Sequence, residues 1–434
     1  MISLFTAHSS VRNAARVLLP RIVLVTLIGT ASSTAFSTEV PLTLARAQQL
    51  AVERSRQVLA KEFAITASQE MSVAAGQLPD PVLKAGVSNL PVSGPNRFSP
   101  TSDSMTMGSI GVMQEITRAD KRRYRSERYQ REAEKLAAEK VATVAEIQRD
   151  TAIAWFDRFY AEAMSNVIAE KATQSEFEIQ AAEGAYRADT GSQADLFSAR
   201  SALITYHDRA SEIDRRIRNA KTVLARWVGD AAYQPLAGLP ATDSVRLNHA
   251  ALEADLAHHP SVSVLDRRVA IAQTEAKLAR ANKKSDWSVE MMYQQRGPSY
   301  DNMISFGISI PLQWNQRNRQ DRELSAKLAM VEQARAERDD MLLAHVAETR
   351  AMINEWENGR ERLARYEQDL IPLAKERTVA ALAAYRGGKA SLADVLMARR
   401  SEIDVRLQGL QLAAETARLW AELNFLFPDD GASH

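Results

Sequence analysis

The side chains best placed for chemistry in this 434-residue chain are carboxylates that recur at a fixed spacing. Ser192 with Asp195, and Ser391 with Asp394, repeat a Ser-x-x-Asp pattern just after the turns Ala188-Asp189-Thr190-Gly191 and Gly387-Gly388-Lys389. Serine three residues before an acid is the capping box that starts a helix, and glycine accepts the left-handed backbone that ends the previous one. Gathered at a constriction, the same carboxylates would select cations. Of seven histidines, His258 and His259 adjoin. Neighbouring side chains on a helix do not face each other and Pro260 marks a loop, so they read as a surface pair and not a metal site. Met105, Met107, Met113, Met291, Met292 and Met303 concentrate in a few short segments. Thioethers suit soft cuprous ions, but methionine is also a routine apolar filler, and filler is the expectation.

Enzyme signatures fail one by one. Gly387-Gly388-Lys389 has the look of a phosphate-binding loop, yet Ala383 and Ala390 stand where that motif needs glycine and a hydroxyl. Gly-x-Ser-x-Gly, His-Glu-x-x-His and the dinucleotide fingerprint are absent from the sequence. With no cysteine, the chain has no disulfide framework, thiolate cluster, cysteine nucleophile or lipid-modified cysteine. Acid pairs along the helices read as solvated faces. No catalytic constellation, cofactor or metal site is expected. Lys and Arg number 55 against 54 Asp and Glu, which implies no broad basic field for nucleic acid.

The elements that carry these residues follow from composition and punctuation. Charged residues make up 25% and aromatics 6%, with Ala, Glu, Gln, Arg and Leu dominant, a bias toward long helices. Arg12, Arg16 and Arg21 precede an apolar run, Ile22 to Ala31, with Ser33 and Ala35 at a cleavage-like spacing. Residues 1–35 therefore read as an export signal. Its removal takes away three arginines and no acids, so the formal charge moves from +1 to −2. No proline occurs between Pro100 and Pro235, and Pro372 alone lies between Pro311 and Pro428, as continuous helices require. Leu342, Val346, Thr349, Ile353 and Trp356 recur at spacings of four and three, a coiled-coil seam that Arg360 interrupts. Residues 119–187 as one helix would span about 100 Å.

Four short segments differ. Ile304, Phe306, Ile308, Ile310 and Leu312 alternate with smaller residues, and Trp287, Val289, Met291 and Tyr293 do the same, a period of two with one greasy face. Leu83, Ala85 and Val87 are a weaker case, and Met105 to Glu115 a fourth whose phase slips near Gly108. Each half thus holds one hairpin. Four strands cannot close a barrel, but three copies would supply twelve. The halves also repeat. Residues 185–200 and 384–399 share eight of sixteen positions at an offset of 199. The first repeat spans 40–234: helix, hairpin 82–116, long helix 119–187, return helix 192–228. The second spans 245–427: helix, hairpin 286–312, long helix 317–386, return helix 391–426. A tail, 428–434, follows.

Gly111-Val-Met-Gln-Glu-Ile116, Gly307-Ile-Ser-Ile-Pro-Leu312 with Asn315-Gln-Arg-Asn-Arg319, and Ala393-Asp-Val-Leu396 resemble the TolC-type outer-membrane efflux channel family, over residues 40–427. Gln114-Glu115 is most similar to the branch serving heavy-metal exporters. The resemblance implies a mainly α chain with a β-barrel: a homotrimer whose twelve-stranded outer-membrane barrel, four strands per chain, continues into a periplasmic coiled-coil tunnel. It implies as partners a periplasmic adaptor (membrane fusion) protein, an inner-membrane resistance-nodulation-division pump driven by protons, and outer-membrane lipid. It also implies a passive duct with no chemistry of its own, carrying heavy-metal cations. Drug efflux and type I protein secretion share the architecture, and a periplasmic coiled-coil adaptor or a soluble coiled-coil scaffold is the reading from another class. Under threefold symmetry Asp195 and Asp394 become carboxylate rings at a periplasmic gate, although Met397 stands where the family places a second aspartate. The turns Asp189-Thr190-Gly191 and Gly387-Gly388-Lys389 become the adaptor-docking loops.

Overall fold

The computed structural model describes residues 41–189, 191–247 and 251–429. The export signal, Thr190 and the end of the tail lie outside the described residues. Helix α1 (Leu44–Arg54) is capped by the Thr43 hydroxyl, which accepts from Arg46 N–H at 3.1 Å. Ser55 ends α1 and caps α2 (Arg56–Ala75) by accepting from Val58 N–H at 3.2 Å. Strands β1 (Val82–Ser88) and β2 (Met107–Ile116) lead into α3 (Ala119–Arg187), 69 residues without a proline or an interruption. The return helix α4 (Gln193–Val228) closes the first repeat. The second repeat runs α5 (Leu252–Leu256), α6 (Pro260–Ala281), β3 (Trp287–Arg296), β4 (Met303–Ser309), α7 (Gln320–Arg365), α8 (Ile371–Arg386) and α9 (Leu392–Asn424).

Between α7 and α8 the backbone widens into a π turn, Tyr366–Leu370, and the helix goes on. Pro372 explains it. Proline lacks the N–H that a helix interior needs and its ring presses on the carbonyl four residues back, so a wider turn upstream takes up the mismatch. The seam is likewise continuous through Arg360, whose guanidinium sits 4.8 Å over the Trp356 ring while Gly359 takes the buried place.

Helix α3 is the spine. Near the strands it packs against α2 and α6, where Ser68 Oγ donates to Tyr129 O and Arg267 pairs with Glu134. Toward the far turns it packs against α4 and α9. The main apolar core lies where these sets meet, around the fully buried Trp155 and Phe156 with Leu42, Leu224, Leu256 and Trp420. Indole N–H groups need partners when buried, and Trp155 donates to Leu42 O at 3.1 Å and Trp420 to Ser244 O at 2.7 Å. Smaller clusters follow toward the turns: Ile168, Tyr206 and Ile403, then Ala182, Leu196 and Val395.

The two hairpins fuse into one antiparallel sheet in the order β1-β2-β3-β4. Its central pair, β2 with β3, runs from Met107↔Arg296 to Ile116↔Trp287. β4 ends at Ser309, before Ile310 and Leu312, because Pro311 has no N–H to extend the ladder. Strand alternation and register place Leu83, Ala85, Ile110, Val112, Val289, Met291, Tyr293, Ile304, Phe306 and Ile308 on one face. Phe306 is 79% exposed and Ile308 70%. The opposite face carries Lys84, Ser109, Gly111, Glu115, Ser288, Glu290, Gln294, Ser305 and Ser309. Among the described residues no helix is long and apolar enough to cross a membrane.

Sheet and helices are locked at one junction. Asp286, just before β3, accepts from Arg118 N–H at 2.9 Å and from the buried Lys121 ammonium at 2.7 Å. Burial pushes the Asp286 carboxyl up, but these hydrogen bonds and the Lys121 charge outweigh it and hold it below the usual range.

Candidate functional site

The far ends of the helical hairpins carry the repeated acids. At the first turn Ala188 N–H donates to Gly184 O and Gly191 N–H to Ala185 O, with Asp189 left-handed at φ 60°. At the second, Gly387, Gly388 and Lys389 N–H groups close on Ala383, Tyr385 and Ala384 carbonyls, with Gly388 at φ 68°. Asp189, Gly387, Gly388 and Lys389 are exposed. Each return helix then opens with a complete capping box. Ser192 Oγ accepts from Asp195 N–H at 3.1 Å while Asp195 Oδ2 accepts from Ser192 N–H at 3.3 Å. The Ser391–Asp394 distances are 3.2 and 3.0 Å. The Ser391 hydroxyl and N–H hold the fully exposed Asp394 carboxyl below the usual range. Both acids are therefore tied to their own helix starts, with Asp394 open to solvent and Met397, one turn on, 63% exposed.

Above the turns, α3 and α9 meet through charges that the sequence reading passed over. Lys171 pairs with Glu402 at 3.0 Å and Arg399 with Glu178 at 2.5 Å, all four largely buried. Gln174 Oε1 accepts from both Lys171 and Arg399. Burial pushes the Glu178 carboxyl up despite the Arg399 charge. A signal was present: Met164, Ile168, Lys171, Ser175, Glu178 and Ala182 are buried at spacings of three and four, so the charges sit inside an apolar stripe.

The histidine reading needs correction. His258 is exposed, but His259 is buried. Its Nδ1 accepts from Ser261 N–H at 3.3 Å and so caps α6, which starts at Pro260 and packs against α7. That docking brings the His259 ring 4.6 Å from His345 and 5.7 Å from Phe427. Burial, with a contribution from His345, lowers its pKa to about 4. Among the described residues no three His, Asp or Glu side chains come close enough to hold a metal ion.

Residues 251–427, most of the second repeat, match the family model described as outer membrane efflux protein. No curated protein sequence matches the chain. Its fold is similar to that of CusC, at a TM-score of 0.76 and 15% identity over 89% of this chain and 92% of that one. The outer membrane protein VceC of Vibrio cholerae gives 0.71 and 18%, covering 88% and 95%. The open-state MtrE outer membrane channel of Neisseria gonorrhoeae gives 0.70 and 16%, covering 88% of each chain. The chain thus has the fold of outer-membrane channels over nearly all of its described length, and its second repeat matches the outer membrane efflux protein family.

Proposed function

We propose that this protein is the outer-membrane exit duct of a tripartite efflux system. The observation that carries the reading is the sheet: one continuous apolar face, exposed in the single chain, on four strands whose two edges have no partner among the described residues. In lipid every backbone group must be paired, so such a sheet is stable only when copies close it. Three copies give twelve strands with the apolar face to the lipid and the polar face to the lumen. Helices about 100 Å long then reach through much of the periplasm as a tunnel.

The turns at 189–191 and 387–389 dock the periplasmic adaptor, and a proton-driven inner-membrane pump supplies the energy. Asp195 and Asp394 form acidic rings at the tunnel entrance in addition to capping their helices. The cargo is heavy-metal cations. Envelope fractionation followed by mass measurement of the detergent-extracted protein tests the reading: a trimer from the outer membrane is expected, and a detergent-free periplasmic monomer or dimer would overturn it in favour of an adaptor or scaffold.

A further inference from the structure

The strand register places methionine where filler has nothing to fill. On the polar face of the sheet, four successive rungs each hold one thioether. Met113 stands opposite Glu290, Met292 opposite Gly111, Met303 opposite Gln294, and Met107 opposite Arg296. Among the described strand residues on that face, Val82 is the one other hydrophobic side chain; the rest are Gly, Ser, Gln, Glu, Lys and Arg. A strand rises about 3.4 Å per residue, so rungs lie about 7 Å apart and the four span about 20 Å. Met113 and Met292 are diagonal neighbours on paired strands, as are Met292 and Met303, a separation that long side chains bridge.

Two further features bear on what these sulfurs do. A Cβ on Gly111 would come within 2.5 Å of the Met291 carbonyl oxygen and 2.6 Å of Met292 Cγ, so the glycine lets the two strands approach and leaves room for the start of the Met292 side chain. Of the charged side chains on the same face, Glu115 accepts from the Thr117 hydroxyl at 3.2 Å. Lys84 pairs with Glu290 at 2.5 Å, and the Arg296 guanidinium bonds Ser104 O and covers the Tyr300 ring. The thioethers add neutral, polarizable sulfur to this wall, and such sulfur prefers soft cations over the hard ions of the medium.

We infer that Met113, Met292 and Met303, with Met107 at the outer rim, form a thioether ladder along which a soft monovalent cation of the Cu(I)/Ag(I) class leaves the barrel. The inference rests on the exit-duct reading, which turns this face to the lumen, and it narrows the cargo of that duct. Each step exchanges one thioether for the next on the ion, with no change of oxidation state and no proton moved. Weak neutral ligands suit transit, because conduction needs sites that bind enough to admit the ion and still release it.

The test uses the full-length trimer, reconstituted for K⁺ conductance and titrated with Ag⁺ in chloride-free buffer. Leucine keeps the apolar bulk of methionine and removes the sulfur, so the variant is Met113→Leu/Met292→Leu/Met303→Leu. Met291→Leu, on the apolar face, is the control. The expected result is unchanged K⁺ conductance in all three proteins, with Ag⁺ affinity at least about tenfold weaker in the triple variant and unchanged in the control. A conducting triple variant with wild-type Ag⁺ affinity would sink the ladder and leave the duct standing. Failure of the wild type to form a conducting trimer would sink the duct reading itself, and the ladder with it. Should the triple variant not assemble, Met292→Leu alone is read by the same criteria.

Discussion

Lys171 of α3 and Glu402 of α9 form an ion pair at 3.0 Å with both side chains less than a tenth exposed, 231 residues apart in sequence. It joins the first repeat to the second between two small apolar clusters, Ile168 with Ile403 on one side and Ala182 with Val395 on the other. Removing one partner strands a buried charge, whereas removing both restores an ordinary apolar contact. Lys171→Met is expected to destabilise by about 3–5 kcal/mol and Lys171→Met/Glu402→Met to be near neutral. Denaturant unfolding of the three proteins checks this. A double variant as unstable as the single one would mean that packing around Gln174, and not charge, is what counts.

The acid at the second turn has a capping role in plain view and a gating role that is proposed. Asp394→Asn separates them, since an amide oxygen still accepts the Ser391 N–H but carries no charge. Reduced cation selectivity or a raised leak in bilayer recordings is expected. Conductance, selectivity and cation block all unchanged would leave Asp394 with the capping box alone.

The assignment of the sheet faces is tested by charge. Phe306 lies in the middle of the β4 apolar face and is 79% exposed in the single chain. Phe306→Arg is expected to hinder barrel insertion, because arginine at the bilayer midplane costs roughly 2–4 kcal/mol. Normal trimer yield in the outer-membrane fraction would mean the faces are reversed.

His259 predicts a pH dependence. Its folded pKa, about 4, lies below the ordinary value of 6.5, so the unfolded chain takes up the proton first as pH falls. Stability from the neutral ring is complete above pH 6.5, declines between 6.5 and 4, and is flat below. The loss over that window is about 3 kcal/mol. The recess beside it is also lined by His345 and Glu348 of α7, Glu146 and Asp150 of α3 and Glu422 of α9. The readout is therefore the difference between wild type and His259→Asn, whose curve should be flatter by that amount. Parallel curves would count against a neutral, capping His259.

Much of this protein is decided locally, and so was legible in the residues. The repeat at an offset of 199 holds in three dimensions: Asp189 and Gly388, equivalent across it, both adopt the left-handed turn position, and Ser192 and Ser391 build the same box. Strand alternation in Ile304–Ile308 and the proline-free run of α3 depend on near neighbours in the chain, so periodicity and propensity suffice to read them. What tertiary structure decided involves partners far apart in sequence. The pairing of β2 with β3 fused two hairpins into one sheet and sorted the methionines, leaving Met291 on the apolar face and Met113, Met292 and Met303 on the polar one. The docking of α6 on α7 buried a histidine that its neighbours mark as a surface residue. The approach of α9 to α3 matched Lys171 with Glu402. A side chain's type limits what it can do, but burial and the identity of its partner are set by segments one or two hundred residues away, and no local pattern encodes them.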